Sequence, residues 1–87
     1  MKNITIFKLK YCGYCRRALE YVEEIKALHP EYNNLTITLI DEGDQYQIAK
    51  KYDYFYVPTF YIDEQKVHEG AVTSEQVQDI LKRAFES

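Results

Sequence analysis

Apolar positions change their spacing several times along the chain, and each change marks an element. Ile4-Thr5-Ile6-Phe7-Lys8-Leu9 is short and rich in β-branched residues, as a strand is. From Tyr14 to His29 there is no glycine or proline, and Ala18, Leu19, Val22, Ile25 and Leu28 recur at helical spacing. Pro30 stops that helix, and Asn33-Asn34 signals a turn. Leu35, Ile37 and Leu39 then alternate with Thr36 and Thr38, predicting a strand that Asp41-Glu42-Gly43-Asp44 breaks. Ile48, Ala49 and Tyr52 predict a short second helix. Thr59-Phe60-Tyr61-Ile62 reads as a strand after Pro58, Asp63-Glu64-Gln65 as a turn, and Lys66-Val67-His68-Glu69 as a return strand ending at Gly70. Thr73 and Gln76 have the spacing of a capping box, after which Val77, Ile80, Leu81, Ala84 and Phe85 form one apolar stripe.

The predicted order is βαβαββα over residues 1–87, one α/β domain. The first βαβ unit calls for parallel strands joined by a right-handed crossover. The short turn at 63–65 calls for an antiparallel pair. No repeat, linker or low-complexity tract interrupts the order.

Composition narrows the function classes. A chain of 87 residues supports one modest core, and an apolar fraction of 46% is that of a globular protein. A net charge of −3 argues against nucleic acid as a partner. The charge is uneven: residues 1–19 carry Lys2, Lys8, Lys10, Arg16 and Arg17 and no acid. Polar residues interrupt the first eight positions before a signal-peptide core forms, and no stretch reaches membrane-spanning length, so a cytoplasmic protein with no membrane partner is expected. Acid pairs such as Glu23-Glu24 and Asp41-Glu42 are expected to be solvated. His29 and His68 lack zinc spacing with the cysteines, and no metal site is expected.

The two cysteines, Cys12 and Cys15, bracket Gly13-Tyr14 between the first strand and the first helix. Three residues is nearly one helical turn, so both side chains fall on one face, within reach of a disulfide. A bridge closing so short a loop constrains little of the unfolded chain, which makes it a poor structural staple. A thiolate is the nucleophilic form of cysteine, and free N–H groups at a helix N-terminus stabilise it. Four of the five N-terminal cations lie within five residues of a cysteine. One thiol can then attack a partner's disulfide while the other releases it.

This order, with a Cys-x-x-Cys ahead of the first helix, resembles the thioredoxin fold. Ala49-Lys50-Lys51-Tyr52-Asp53-Tyr54-Phe55-Tyr56-Val57-Pro58-Thr59 is similar to the family segment that leads into its cis-proline, and Gly70-Ala71-Val72-Thr73-Ser74-Glu75-Gln76-Val77 to the start of its last helix. The length and Tyr14 are closer to glutaredoxins and small glutaredoxin-like thioredoxins. Four features depart from these patterns, among them Tyr11 in place of the tryptophan that usually precedes a thioredoxin's first cysteine. Leu9 stands where glutathione-binding glutaredoxins carry Lys or Arg. Gly70-Ala71-Val72-Thr73 replaces their Gly-Gly-acid. Ile6 replaces the buried Asp of thioredoxins proper, so proton transfer must take another route.

The resemblance implies a four-stranded mixed sheet with three flanking helices, and a thiol–disulfide oxidoreductase serving electron transport and redox homeostasis. It implies Cys12 as nucleophile and Cys15 as resolving thiol, with Gly13, Tyr14 and a cis Pro58 as support. Tyr11, Val57 and Thr59 are expected to contact substrate, and Tyr11, Tyr14 and Tyr56 to form an apolar docking surface. No bound cofactor is expected. Substrates are disulfides of proteins or small thiols, and a flavin-dependent reductase or glutathione supplies electrons to a monomer. The rivals are a glutathione-dependent glutaredoxin and, in other classes, a [2Fe–2S] cluster carrier and a redox-inert binding module that keeps only the fold.

Overall fold

The computed structural model describes residues 1–87. Strand β1 (Ile4–Lys8) leads into helix α1 (Gly13–Leu28), and a 3-10 turn at Pro30–Asn34 precedes strand β2 (Ile37–Asp41). A single helical turn, α2 (Tyr46–Ala49), is followed by β3 (Thr59–Ile62), β4 (Gln65–Glu69) and helix α3 (Ser74–Glu86). The sheet order is β2-β1-β3-β4, with β1 parallel to β2 and antiparallel to β3, and β4 antiparallel to β3. The βαβαββα order, the four-stranded mixed sheet and the three flanking helices are those expected.

The pleat of β1 divides the core. Ile4 and Ile6 face α1 and α3, where they pack with Ala18, Val22, Ile25, Phe60, Val77, Ile80 and Leu81. Phe7 faces the other way into a smaller cluster with Ile40, Ala49 and Tyr61. Its ring lies 4.7 Å from that of Tyr52, 4.8 Å from Tyr54 and 5.6 Å from Tyr61. A ring in β1 thus anchors the aromatic segment that follows α2.

Helix α3 begins with the full capping box: Gln76 N–H donates to Thr73 Oγ1 at 3.1 Å, and Thr73 N–H donates to Gln76 Oε1 at 2.9 Å. Because these bonds satisfy orphan amides at the start of the helix, Thr73→Ala is expected to cost about 1 kcal/mol. That corresponds to a fall in Tm of about 4–8 °C for a domain of this size, and a thermal melt of the variant checks it.

The departures from expectation are local. Pro30, predicted only as a stop, opens a 3-10 turn. The inward-facing series Leu35, Ile37, Leu39 gives way within β2: Leu39 is 43% exposed and Ile40 is buried. Strand β2 is an edge with helices on one face and the Phe7 cluster on the other, so both faces take apolar residues. Asp41 is not solvated but 7% exposed, opposite Lys8 in the β1–β2 register.

Candidate active site

The end of β1 and the start of α1 place both thiols. Tyr11 takes a positive φ of 60°, which turns the chain sharply ahead of the helix. Cys12 then stands as N-cap, with extended backbone, and its Sγ accepts the Cys15 N–H at 3.2 Å. A sulfur here does what serine or aspartate does at other helix starts, taking up an orphan amide. Cys12 is half-buried, Cys15 is only 2% exposed, and neither is bridged. Burial pushes the Cys15 thiol up to about 12; the contact with Cys12 adds to this, while the Leu9 amide and the charge of Lys8 oppose it. The two sulfurs are therefore unequal: one is partly open to solvent, the other closed in and held toward its protonated form by burial.

A groove of about 630 Å³ opens beside the thiols, lined by Lys8, Leu9, Tyr11, Cys12, Cys15 and the Arg16–Glu24 side of α1. Lys8 reaches from β1, its Nζ 3.4 Å from Asp41 Oδ2. The Asp41 carboxylate also accepts from the amides of Gly43 at 2.9 Å and Asp44 at 3.3 Å. Burial alone would raise the Asp41 pKa, but the two amides and Lys8 outweigh it and hold the carboxyl below its ordinary value. Sequence reading missed this pair. Its signal was the parallel register: pairing Ile4 with Ile37 brings Lys8 beside Asp41.

The other expected site residues fall into distinct places. The Val57–Pro58 bond is cis. Phe7 pairs with Thr59 across β1–β3, so Pro58 lies at the sheet end from which α1 starts. Pro58 is buried, its carbonyl accepting from Gly70 N–H at 2.8 Å, whereas Val57 is half-buried and its backbone N–H and C=O have no partner within the chain. Tyr11, Tyr14 and Tyr56 are exposed, as is Phe55, which the expected docking surface did not include. A side chain on Gly13 would meet nothing within 4 Å, so the fold itself does not require glycine there.

Thr59 is a correction. It is wholly buried in β3, with its hydroxyl donating to the Tyr56 carbonyl. It cannot touch a substrate, and it supports the segment above it instead. The sequence placed Thr59 next to Pro58 but gave no sign of which way its side chain points.

The profile of the thioredoxin domain matches residues 2–82. The chain belongs to the thioredoxin domain family. The solved thioredoxins agree on the fold. Oxidised thioredoxin from Plasmodium falciparum is 19% identical, with 92% of this chain covering 77% of that one at a TM-score of 0.70. A mutant thioredoxin from Halobacterium salinarum is 22% identical, with coverages of 97% and 74% and a TM-score of 0.70. Thioredoxin from Malassezia sympodialis is 20% identical, with coverages of 94% and 73% and a TM-score of 0.74. No curated protein matches the chain. Membership of the thioredoxin domain family supports a thiol–disulfide oxidoreductase kind of function. No helix is long and apolar enough to cross a membrane.

Proposed function

We propose that this thioredoxin domain reduces disulfides of proteins or small thiols through a Cys12–Cys15 dithiol. The observation that carries the reading is the inequality of the two sulfurs: Cys12 at the open helix tip, Cys15 buried one turn on. Cys12 attacks one sulfur of the partner's disulfide as a thiolate. A Cys12–partner bond forms, and the partner's other sulfur leaves and takes a proton. Cys15 then gives up its proton and attacks the Cys12 sulfur. The intramolecular disulfide closes, and the partner's first sulfur departs as a second thiol. The partner gains two electrons and two protons; the chain gives up both electrons and the Cys15 proton, and water supplies the second proton.

Two neighbours assist in this scheme. The Lys8 ammonium, anchored on Asp41, offers positive charge toward Cys15 as its proton leaves. As an ammonium it cannot accept that proton; its part is electrostatic, easing formation of the Cys15 thiolate where Ile6 leaves no carboxylate. The unpaired backbone of Val57 takes an extended partner segment by strand addition.

A flavin-dependent reductase is the electron donor this reading favours. Thr73, in the stretch that replaces the glutaredoxin Gly-Gly-acid, spends its hydroxyl on capping α3 and leaves no acid there for glutathione. The pair cycles in a reducing compartment, in keeping with a cytoplasmic protein.

Alkylation of the reduced protein across pH tests the proposal. Cys12 is expected to label at neutral pH. Cys15 is expected to resist until the pH climbs toward 12, because its protonated form is the one burial favours. Equal labelling of both thiols at neutral pH would overturn it. A coloured, iron-containing protein from anaerobic purification would favour the cluster carrier instead.

A further inference from the structure

Residues 53–58, between α2 and β3, form neither helix nor strand, yet their backbone is held from both flanks. Tyr61 in β3 donates its hydroxyl to the Asp53 carbonyl at 2.9 Å. Tyr54 donates its own to Glu42 at 2.7 Å. The next two amides converge on one atom: Phe55 N–H and Tyr56 N–H both donate to Glu69 Oε2, at 2.5 and 2.9 Å. The other oxygen of that carboxylate, Oε1, accepts from Lys66 Nζ at 2.7 Å. Glu69 is the last residue of β4 and lies opposite Thr59 in the β3–β4 register, so the carboxylate reaches past the strand end to the loop above it.

Burial holds Tyr54, Val57 and Pro58 at the flanks of this loop but not its tip. Phe55 is 85% exposed and Tyr56 is 70% exposed, so neither ring contributes core packing. Thr59 holds the Tyr56 carbonyl, and a charged acceptor grips the two successive amides of Phe55 and Tyr56; bonds to ionised acceptors are roughly twice as strong as neutral ones. Lys66 and then the two amides hold the Glu69 carboxyl down to about 2, so the grip persists at any physiological pH.

We infer that Glu69 is a positioning residue for partner docking: its carboxylate sets the backbone of Phe55 and Tyr56, and through them the aim of the two exposed rings and of the unpaired Val57 backbone. The inference rests on the dithiol reading for its functional half only. Glu69 touches neither thiol chemistry nor, in this geometry, the partner's reacting sulfurs. Its effect therefore falls on recognition and not on exchange at Cys12.

Glu69→Ala and the isosteric Glu69→Gln test this, read by amide hydrogen exchange and by steady-state reduction of a protein disulfide. In Glu69→Ala the Phe55 and Tyr56 amides should exchange about tenfold faster, the effect of losing one charge-assisted hydrogen bond. KM for the protein disulfide should rise severalfold, while kcat and the rate of Cys12 alkylation by iodoacetamide stay as in the parent. Glu69→Gln, which keeps an acceptor but no charge, should fall between the two, and it carries the test alone if the alanine variant fails to fold. Unchanged exchange at both amides would overturn the clamp. Faster exchange with an unchanged KM would reduce Glu69 to a structural contact and overturn the positioning role. A parent protein that reduces no disulfide would sink the dithiol reading, and the exchange data would still stand or fall by themselves.

Discussion

Cys12→Ser is expected to abolish disulfide reduction, by on the order of 10³-fold or more, since a covalent nucleophile has no substitute in its own mechanism. Serine can still cap α1 by accepting the Cys15 amide, so the fold should survive the change. That separates chemistry from structure: the variant should melt near the parent yet have no activity. Cys15→Ser gives the complementary result. Cys12 remains free to attack, but nothing releases the partner, so a one-to-one mixed disulfide should accumulate and be visible by mass under non-reducing conditions. Full turnover by Cys12→Ser would remove Cys12 from the mechanism. Turnover by Cys15→Ser without a trapped adduct would show that the partner resolves itself.

Phe7→Ala is the substitution expected to cost most stability, about 3–5 kcal/mol, because a buried aromatic leaves a cavity. At roughly 0.05–0.15 kcal/mol per residue, a domain of 87 residues has a total stability of about 4–13 kcal/mol. The variant should therefore lose a large share of its stability and unfold at a much lower urea concentration than the parent. Phe7 is wholly buried, stacked on Tyr54 and packed at an angle against Tyr52 and Tyr61, so the loss reaches the segment before Pro58 as well as the sheet. Phe55→Ala is the control, since its ring is exposed and surface changes fall within about 0.5 kcal/mol. Urea unfolding of the two variants measures the difference. A Phe7→Ala midpoint close to that of Phe55→Ala would mean that the small aromatic cluster contributes little.

The elements were legible because helix and strand periods are local. Val77, Ile80, Leu81 and Ala84 announce α3, and Thr73 with Gln76 announces its start, from a dozen consecutive residues. The parallel pairing of β1 and β2 followed from the crossover alone. The site was legible in part for the same reason: a cysteine pair at a strand–helix junction is a local signal. What could not be read depends on contacts distant in sequence. Lys8 and Asp41 are 33 positions apart and look like two ordinary surface charges until the register is known. Glu69 and Tyr56 are 13 apart, and nothing periodic links them. Among the aromatics of residues 52–61, rings of one chemical kind went to opposite fates. Tyr61 is buried and Tyr54 half-buried, while Phe55 and Tyr56 are in water. A segment without helix or strand has no period to sort them.

Tyr11 sets the left-handed turn that delivers Cys12 to the helix tip. A non-glycine residue in that region is strained by roughly 1–2 kcal/mol relative to glycine. Its ring is wholly exposed, so no contact inside the domain offsets the strain. The junction carrying the attacking sulfur thus holds a strain that the Tyr11 side chain does nothing to offset. A visiting surface that covers the tyrosine ring would lock that junction in place, coupling capture of the visitor to alignment of the sulfur beside it.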